Sequence, residues 1–312
     1  MALSIRKARG SLGTERAQEA LAGYGFIAIP MVLFLVFNIG ALFYSAYISL
    51  WRWEILGPTE FLGFRNYAFI LRDDVFHTAI KNSIYYTVIV VPIQMALGLT
   101  LAVTVNQIWR GRTFFRAAFY FPAIASSAAI TVLYIYIMAP DGLFNHLLET
   151  IGINPLGFHN QGNWLGNSDT ALNAIIGLNA WTTSGTMMLF YLGQLQSIPS
   201  DVYEAARVDG SGPWNSFWRI TFPLLAPAHY LVLTVSVIGA LQMFDQAYIA
   251  GGSGGDPAYA LMTMVLYLYN AAFRQFEFGY AAAVGIVLFI IIFTATLIQR
   301  RLFGTTEWAQ AR

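Results

Sequence analysis

Six stretches of this sequence are apolar over the roughly 20 residues that a helix needs, at about 1.5 Å each, to cross a hydrocarbon layer about 30 Å thick. They begin near Tyr24, Ser83, Phe114, Ala171, Pro223 and Phe278 and end near Leu50, Val105, Met138, Leu195, Ala247 and Ile298. Inside a bilayer the backbone has no water to bond to, so segments of this length must be helices that satisfy their own N–H and C=O groups. The expected fold is therefore all-α, a polytopic membrane bundle of six transmembrane helices. The composition agrees, with 57% hydrophobic and 11% charged residues and a mean hydropathy of +0.57. Cysteine is absent, which removes disulfides, iron–sulfur clusters and thiolate metal sites from consideration.

The first run follows Arg6, Lys7, Arg9 and Arg16. It is too long for the core of a signal peptide, and no small-residue cleavage pattern follows, so it is expected to be retained. The chain then divides into an N-terminal segment (1–23), a six-span domain (24–303) and a C-terminal tail (304–312). With the N-terminus inside, twelve of the 17 basic residues fall on the inner side, which is the orientation that the positive-inside rule favours. Both termini and the loop 197–222 are then cytoplasmic. The net charge of +1 points to neither nucleic acid nor an acidic partner.

The segment EAARVDGSGPWNSFWRITFPLLAP, from Glu204 to Pro227, is polar and lies between two long apolar runs. Asp201 is expected to cap a short helix, with Glu204 completing a capping box, and Gly210 to end it where φ is positive. Pro213 suits the first position of a second short helix, which carries Phe217 and Trp218 up to Pro223. This pattern resembles the cytoplasmic loop of binding-protein-dependent ABC importer permeases of type I: Glu204, Ala205 and Ala206, then Asp209 and Gly210, then Ile220 and a Leu-Pro-type ending at Pro223. Phe222 stands where that family usually has Leu. The resemblance implies that these seven residues couple the chain to a separate pair of ATPase subunits. It also implies a second permease subunit and an extracytoplasmic solute-binding protein. Ahead of the second span, Gly63, Asn66 and Tyr67 match an FxGxxNY pattern similar to that of maltose and glycerol-phosphate permeases, which implies a carbohydrate substrate. A short surface helix is expected around Phe69, Leu71, Val75, Phe76 and Ile80.

Polar groups inside apolar spans are costly and default to functional candidates. The fourth span carries Asn179, Trp181, Thr182, Thr183 and Thr186, and the fifth Ser236, Gln242, Met243, Phe244 and Asp245. Spacings of three, one and three put Asn179, Thr182, Thr183 and Thr186 on one helix face, which suits a neutral sugar, with Trp181 or Phe244 to stack on it. Hydrogen bonding between helices is the competing use of the same groups. The resemblance implies a sugar site at this depth. The second span carries Pro92, Gln94 and Gly98. The small residues Ala123 to Ala129 of the third suggest close helix packing.

Elsewhere the chain offers little chemistry. The GLFNHLLETIG stretch predicts a short outer helix that stops at Gly152, and Trp164 is a candidate contact for an external partner. GGSGG, from Gly251 to Gly255, lacks the Lys-Ser/Thr of a phosphate loop and is expected to be a flexible connection. The four histidines lack metal-ligand spacing, and no triad is visible, so no cofactor, metal or catalytic function is expected. A permease for another solute and an ion-coupled carrier stay open as alternatives; a carrier should show inverted repeats and midplane ionisable groups, and neither is evident.

Overall fold

In the computed structural model the described residues are 19–107, 110–158 and 160–303. The terminal segments that the sequence predicts as cytoplasmic lie mostly outside them. The first apolar run is helix α1, Glu19–Ile48, which passes through a π-helical turn at Leu35–Gly40; no residue of its apolar window is buried by the rest of the chain. A hairpin that the sequence did not announce follows. Strands β1 (Trp51–Glu54) and β2 (Gly57–Phe61) pair antiparallel, Trp51 opposite Phe61, and Gly57 makes the turn at φ 109°.

The FxGxxNY residues explain themselves here. Gly63 turns the chain at φ 56°, Asn66 donates to the Ser49 and Trp51 carbonyls at 2.8 and 3.1 Å, and the Tyr67 hydroxyl lies 2.7 Å from Ser49 Oγ. They fasten helix α2 (Arg65–Ile70) to the end of α1. The surface helix expected across residues 69–80 does not form as one piece. Asp73 Oδ1 accepts the N–H groups of Val75 and Phe76 at 2.8 and 2.9 Å, the geometry of an N-cap, so a new helix starts at that point. Val75, Phe76 and Ile80 are the first turns of the second span itself, α3, Asp74–Gln107. At 34 residues it is about 50 Å long and extends past the hydrocarbon layer.

The third span is broken. Helices α4 (Arg112–Ile124) and α5 (Ser127–Ile137) meet at 92°, with Ala125 and Ser126 extended between them and Pro122 in the last turn of α4. The run of small residues is thus a bend, not the packing stripe expected. Close approach is made instead at Gly185, where a Cβ would overlap the Phe119 carbonyl oxygen, and at Gly98, where it would stand 2.6 Å from Met187 Cβ. Among apolar lipid chains, close packing rather than removal from water holds helices together, which gives such glycines their weight.

Outer helix α6 (Leu143–Thr150) forms as expected and ends at Gly152, φ 83°. Trp164 is not free for a partner. Its indole N–H donates to Asn145 Oδ1 at 2.8 Å, and its ring packs on Phe144 and Phe158. Helix α7 (Ala171–Ser197) is central, buried along its length against α3 on one side and α4 on another. Its 27 residues are long enough to cross, but its amides and hydroxyls make it less apolar than the spans around it.

The short helix α8 (Ser200–Val208) leads through an elbow to α9 (Pro213–Ser216), which runs on through a π turn, Phe217–Thr221, and Phe222–Leu224 into α10 (Ala226–Leu241). Helix α11 (Asp245–Gly251) continues the fifth span after a break at 242–244, and α12 (Met264–Phe273) and the last span α13 (Phe278–Phe303) close the bundle. The Gly251–Gly255 stretch is tied down rather than flexible. Asn270 Nδ2 donates to the Ser253 carbonyl at 2.6 Å, Arg274 to Ser253 Oγ at 2.9 Å, and a cis Asp256–Pro257 bond follows.

Candidate functional site: a glycine elbow and a cavity between broken helices

The elbow is built by residues close in sequence. Ile198 and Pro199 are extended, and Pro199, not Asp201, occupies the N-cap of α8, with no side-chain cap. The expected capping box of Asp201 and Glu204 is therefore absent. Proline before the helix starts it at Ser200, so Asp201 falls inside the first turn, where its charge still faces the positive end of the helix dipole. The C-terminus follows expectation. Gly210 has φ 77°, its N–H donates to the Arg207 carbonyl at 3.1 Å, and the Ser211 N–H reaches back to the Ala206 carbonyl at 2.8 Å. That pair of bonds is the Schellman motif, which needs a left-handed residue at the position of Gly210. Pro213 opens α9 from an extended Gly212.

The two arms are joined where the Tyr203 hydroxyl meets Thr221 Oγ1 at 3.1 Å. Ala206 is buried and Ile220 half-buried between the arms, whereas Glu204, Ala205, Asp209, Gly210 and Pro223 are exposed. Val208 at 89% and Trp214 at 75% exposure extend an apolar surface beside them.

At the other site α7 brings its polar face against two interrupted spans. Asn179 and Thr183 line two adjoining recesses. The smaller, about 160 Å³, lies at the bend of the third span and includes Ala125, Ser127, Thr131, Thr182, Thr186 and Gln246. The larger, about 320 Å³, lies at the break of the fifth and includes Tyr86, Gln94, Ser236, Gln242, Met243, Phe244 and Asp245. Of the fourth-span cluster, Asn179 and Thr183 share the larger recess with the fifth-span cluster, whereas Thr182 and Thr186 line only the smaller one. Non-helical backbone at this depth is tolerated where it lines a cavity, and one freed group is accounted for, since Thr263 Oγ1 donates to the Met243 carbonyl at 2.9 Å.

Trp181 is the exception. It is two residues past Asn179, some 200° around the helix, and is exposed on the far side. Phe244 is committed to an aromatic cluster, with ring centroids 5.4 Å from Tyr248 and 5.1 Å from Tyr269. The other polar groups of the fourth span in the lining are uncharged. The Thr182 and Thr183 hydroxyls donate to the Asn179 carbonyl, at 3.4 and 2.5 Å, leaving their lone pairs available. Asn179 Nδ2 sits 3.9 Å from Met243 Sδ, and Ser236 Oγ 3.5 Å from Met187 Sδ, both weak acceptors that a better one can replace. Among the described residues, Asp245 is the one acidic or basic side chain lining either recess.

Sequence reasoning missed Tyr86, Thr131 and Gln246, read Ser127 as a packing residue and assigned no role to Gln94. Two of these are amides in apolar surroundings, the signal by which Asn179 was found. Gln246 Nε2 donates to Ser127 Oγ at 2.9 Å, tying α11 to α5.

Residues 94–303 match the family model described as "Binding-protein-dependent transport system inner membrane component", and the chain belongs to that family. It is 32% identical to the arabinooligosaccharides transport system permease protein of Bacillus subtilis, over 91% of this chain and 89% of that protein. It is 33% identical to the lactose transport system permease protein of Rhizobium radiobacter, over 89% of this chain and 92% of that one. In fold it matches a membrane subunit in the crystal structure of a bacterial ABC transporter that imports the polysaccharide alginate, with a TM-score of 0.76 at 21% identity, covering 92% of this chain and 98% of that one. This chain is accordingly a permease subunit of the inner membrane, a transport component and not an enzyme, with ATP hydrolysis residing on a separate subunit.

Proposed function

We propose that the chain lines the translocation path of a carbohydrate importer and transmits ATP-driven motion through the elbow. One observation carries the first half. Asn179 and Thr183 meet Ser236 and Met243 around adjoining recesses at two helix breaks, with no basic residue among the described residues of the lining. A sugar needs several donors and acceptors spread over a partly apolar wall, and this lining supplies them. The carbohydrate-named relatives support the same substrate class. For the second half, the exposed Glu204, Ala205, Asp209, Gly210 and Pro223, backed by Ala206 and Ile220, form a knuckle suited to a cleft on a cytoplasmic ATPase dimer. The reading includes a second permease subunit, an extracytoplasmic binding protein and both termini in the cytoplasm.

The test is reconstitution in liposomes with the neighbouring permease, ATPase and binding-protein subunits, screening arabinotriose and lactose for stimulated ATP hydrolysis and uptake. Stimulation by amino acids or phosphate and by neither sugar would overturn the substrate class. Native absence of cysteine simplifies the topology test. Cysteines at the exposed Thr59 and Ser168 should react with an impermeant thiol reagent from outside, and one at the exposed Asn215 should not.

A further inference from the structure

Gln94 lies on α3 and lines the larger recess together with Asn179, Thr183 and Ser236. It is 5% exposed, and its Oε1 is shielded without a hydrogen-bond partner. Asn82 and Gln246 are occupied: Asn82 donates to three carbonyls of the 259–262 loop, and Gln246 to Ser127. Asn270 and Gln299 also have an unpartnered oxygen, but neither residue lines either recess. Burying a carbonyl oxygen without a donor is unfavourable, and such groups are rare enough to call for a physical reason.

We infer that Gln94 is a specificity-determining residue for the transported carbohydrate. A primary amide presents one acceptor and two donors side by side. Adjacent hydroxyls on a sugar present the complementary pair, one hydroxyl donating to the oxygen and its neighbour accepting from the nitrogen. A half-turn about the terminal torsion sets which end faces the recess. Rotation about the side-chain torsions brings the shielded oxygen to the recess, where a guest hydroxyl donates to it. A solute without adjacent hydroxyls leaves the amide unpaired and is disfavoured on that account. This inference rests on the carbohydrate function proposed above.

The experiment uses Gln94→Met, nearly isosteric and without the amide, in the complete reconstituted importer, with whichever of arabinotriose or lactose the wild type takes up. The variant should assemble and melt no lower than wild type, since an unsatisfied buried group has been removed. Its uptake kcat/KM should fall roughly 5- to 150-fold. It should also lose the wild type's discrimination against monodeoxy analogues of that sugar. Unchanged uptake and discrimination in an assembled complex would overturn the inference. If the Met variant fails to assemble, Gln94→Asn decides, because it keeps the amide but withdraws it by one methylene; unchanged uptake there overturns the inference equally. Asn179→Leu, measured alongside, separates the two levels. Loss of uptake in that variant alone rejects Gln94 and leaves the proposed function standing, whereas a wild-type importer stimulated by amino acids or phosphate and by neither sugar rejects both.

Discussion

The elbow and the cavity hold their shapes by opposite means. Every bond that shapes the C-terminal turn of the elbow joins residues at most five apart, such as Ser211 to Ala206. The cavity depends on contacts like Asn179 to Met243, 64 positions apart, and Gln246 to Ser127, 119 apart. A change at the elbow therefore acts through backbone conformation, and another residue tolerant of that conformation can repair it. A change at the cavity acts through which polar groups find partners, and only the right functional group repairs it.

Asn179→Leu is expected to have the largest effect. Leaving a guest's hydroxyl unpaired costs about 1–3 kcal/mol, or roughly 5- to 150-fold in uptake kcat/KM, with the complex still assembled. Uptake and sugar selectivity unchanged in both Asn179→Leu and Thr183→Val would make these groups packing contacts only. Gly210→Val comes next. Forcing a side chain into the left-handed region costs about 1–2 kcal/mol, so the docking-competent elbow falls about 5- to 30-fold, read as weaker co-purification of the ATPase and slower uptake. Gly210→Asn, which tolerates that region, should recover most of the loss. If Asn is as damaging as Val, the elbow is not governed by its backbone. Trp164→Phe removes one hydrogen bond and should lower the melting temperature by the equivalent of about 1 kcal/mol while uptake stays at the wild-type rate. A loss of uptake without a loss of stability would restore a role for Trp164 with an external partner. Asp201→Ala should be smallest, about 0.3–1 kcal/mol of helix-dipole interaction by thermal denaturation, and a larger cost would mean that Asp201 caps the helix after all.

What could be seen in the sequence follows the same division. The six runs were legible because bilayer thickness imposes a length, and the elbow because Gly210 and Pro213 each answer a local backbone demand. The hairpin at 51–61 was not, since its turn at Ile55, Leu56 and Gly57 lacks the usual Asn-Gly or Asp-Gly signal. The N-cap at Asp73 was readable in RDDVF and was passed over because apolar spacing ran across it. The 92° bend was obscured by its own residues: Pro122 advertises a kink, but Ala125 and Ser126, where the chain turns, are ordinary in a membrane helix. The polar face of Asn179 and Thr183 was visible as a period, whereas the opposing Gln94 and Gln246 are single amides without one. Only the packing of α3, α5 and α11 around α7 reveals what they face.

The 2.9 Å bond from Gln246 to Ser127 has a mechanical consequence. Broken rods usually add freedom to a frame, one joint for each break. Here the segments beyond the two joints are pinned to each other, so swinging α5 about Ala125–Ser126 must either carry α11 about Gln242–Phe244 or snap the pin. The two joints therefore share one tie, worth about 1 kcal/mol, and a variant without it leaves each segment one constraint fewer.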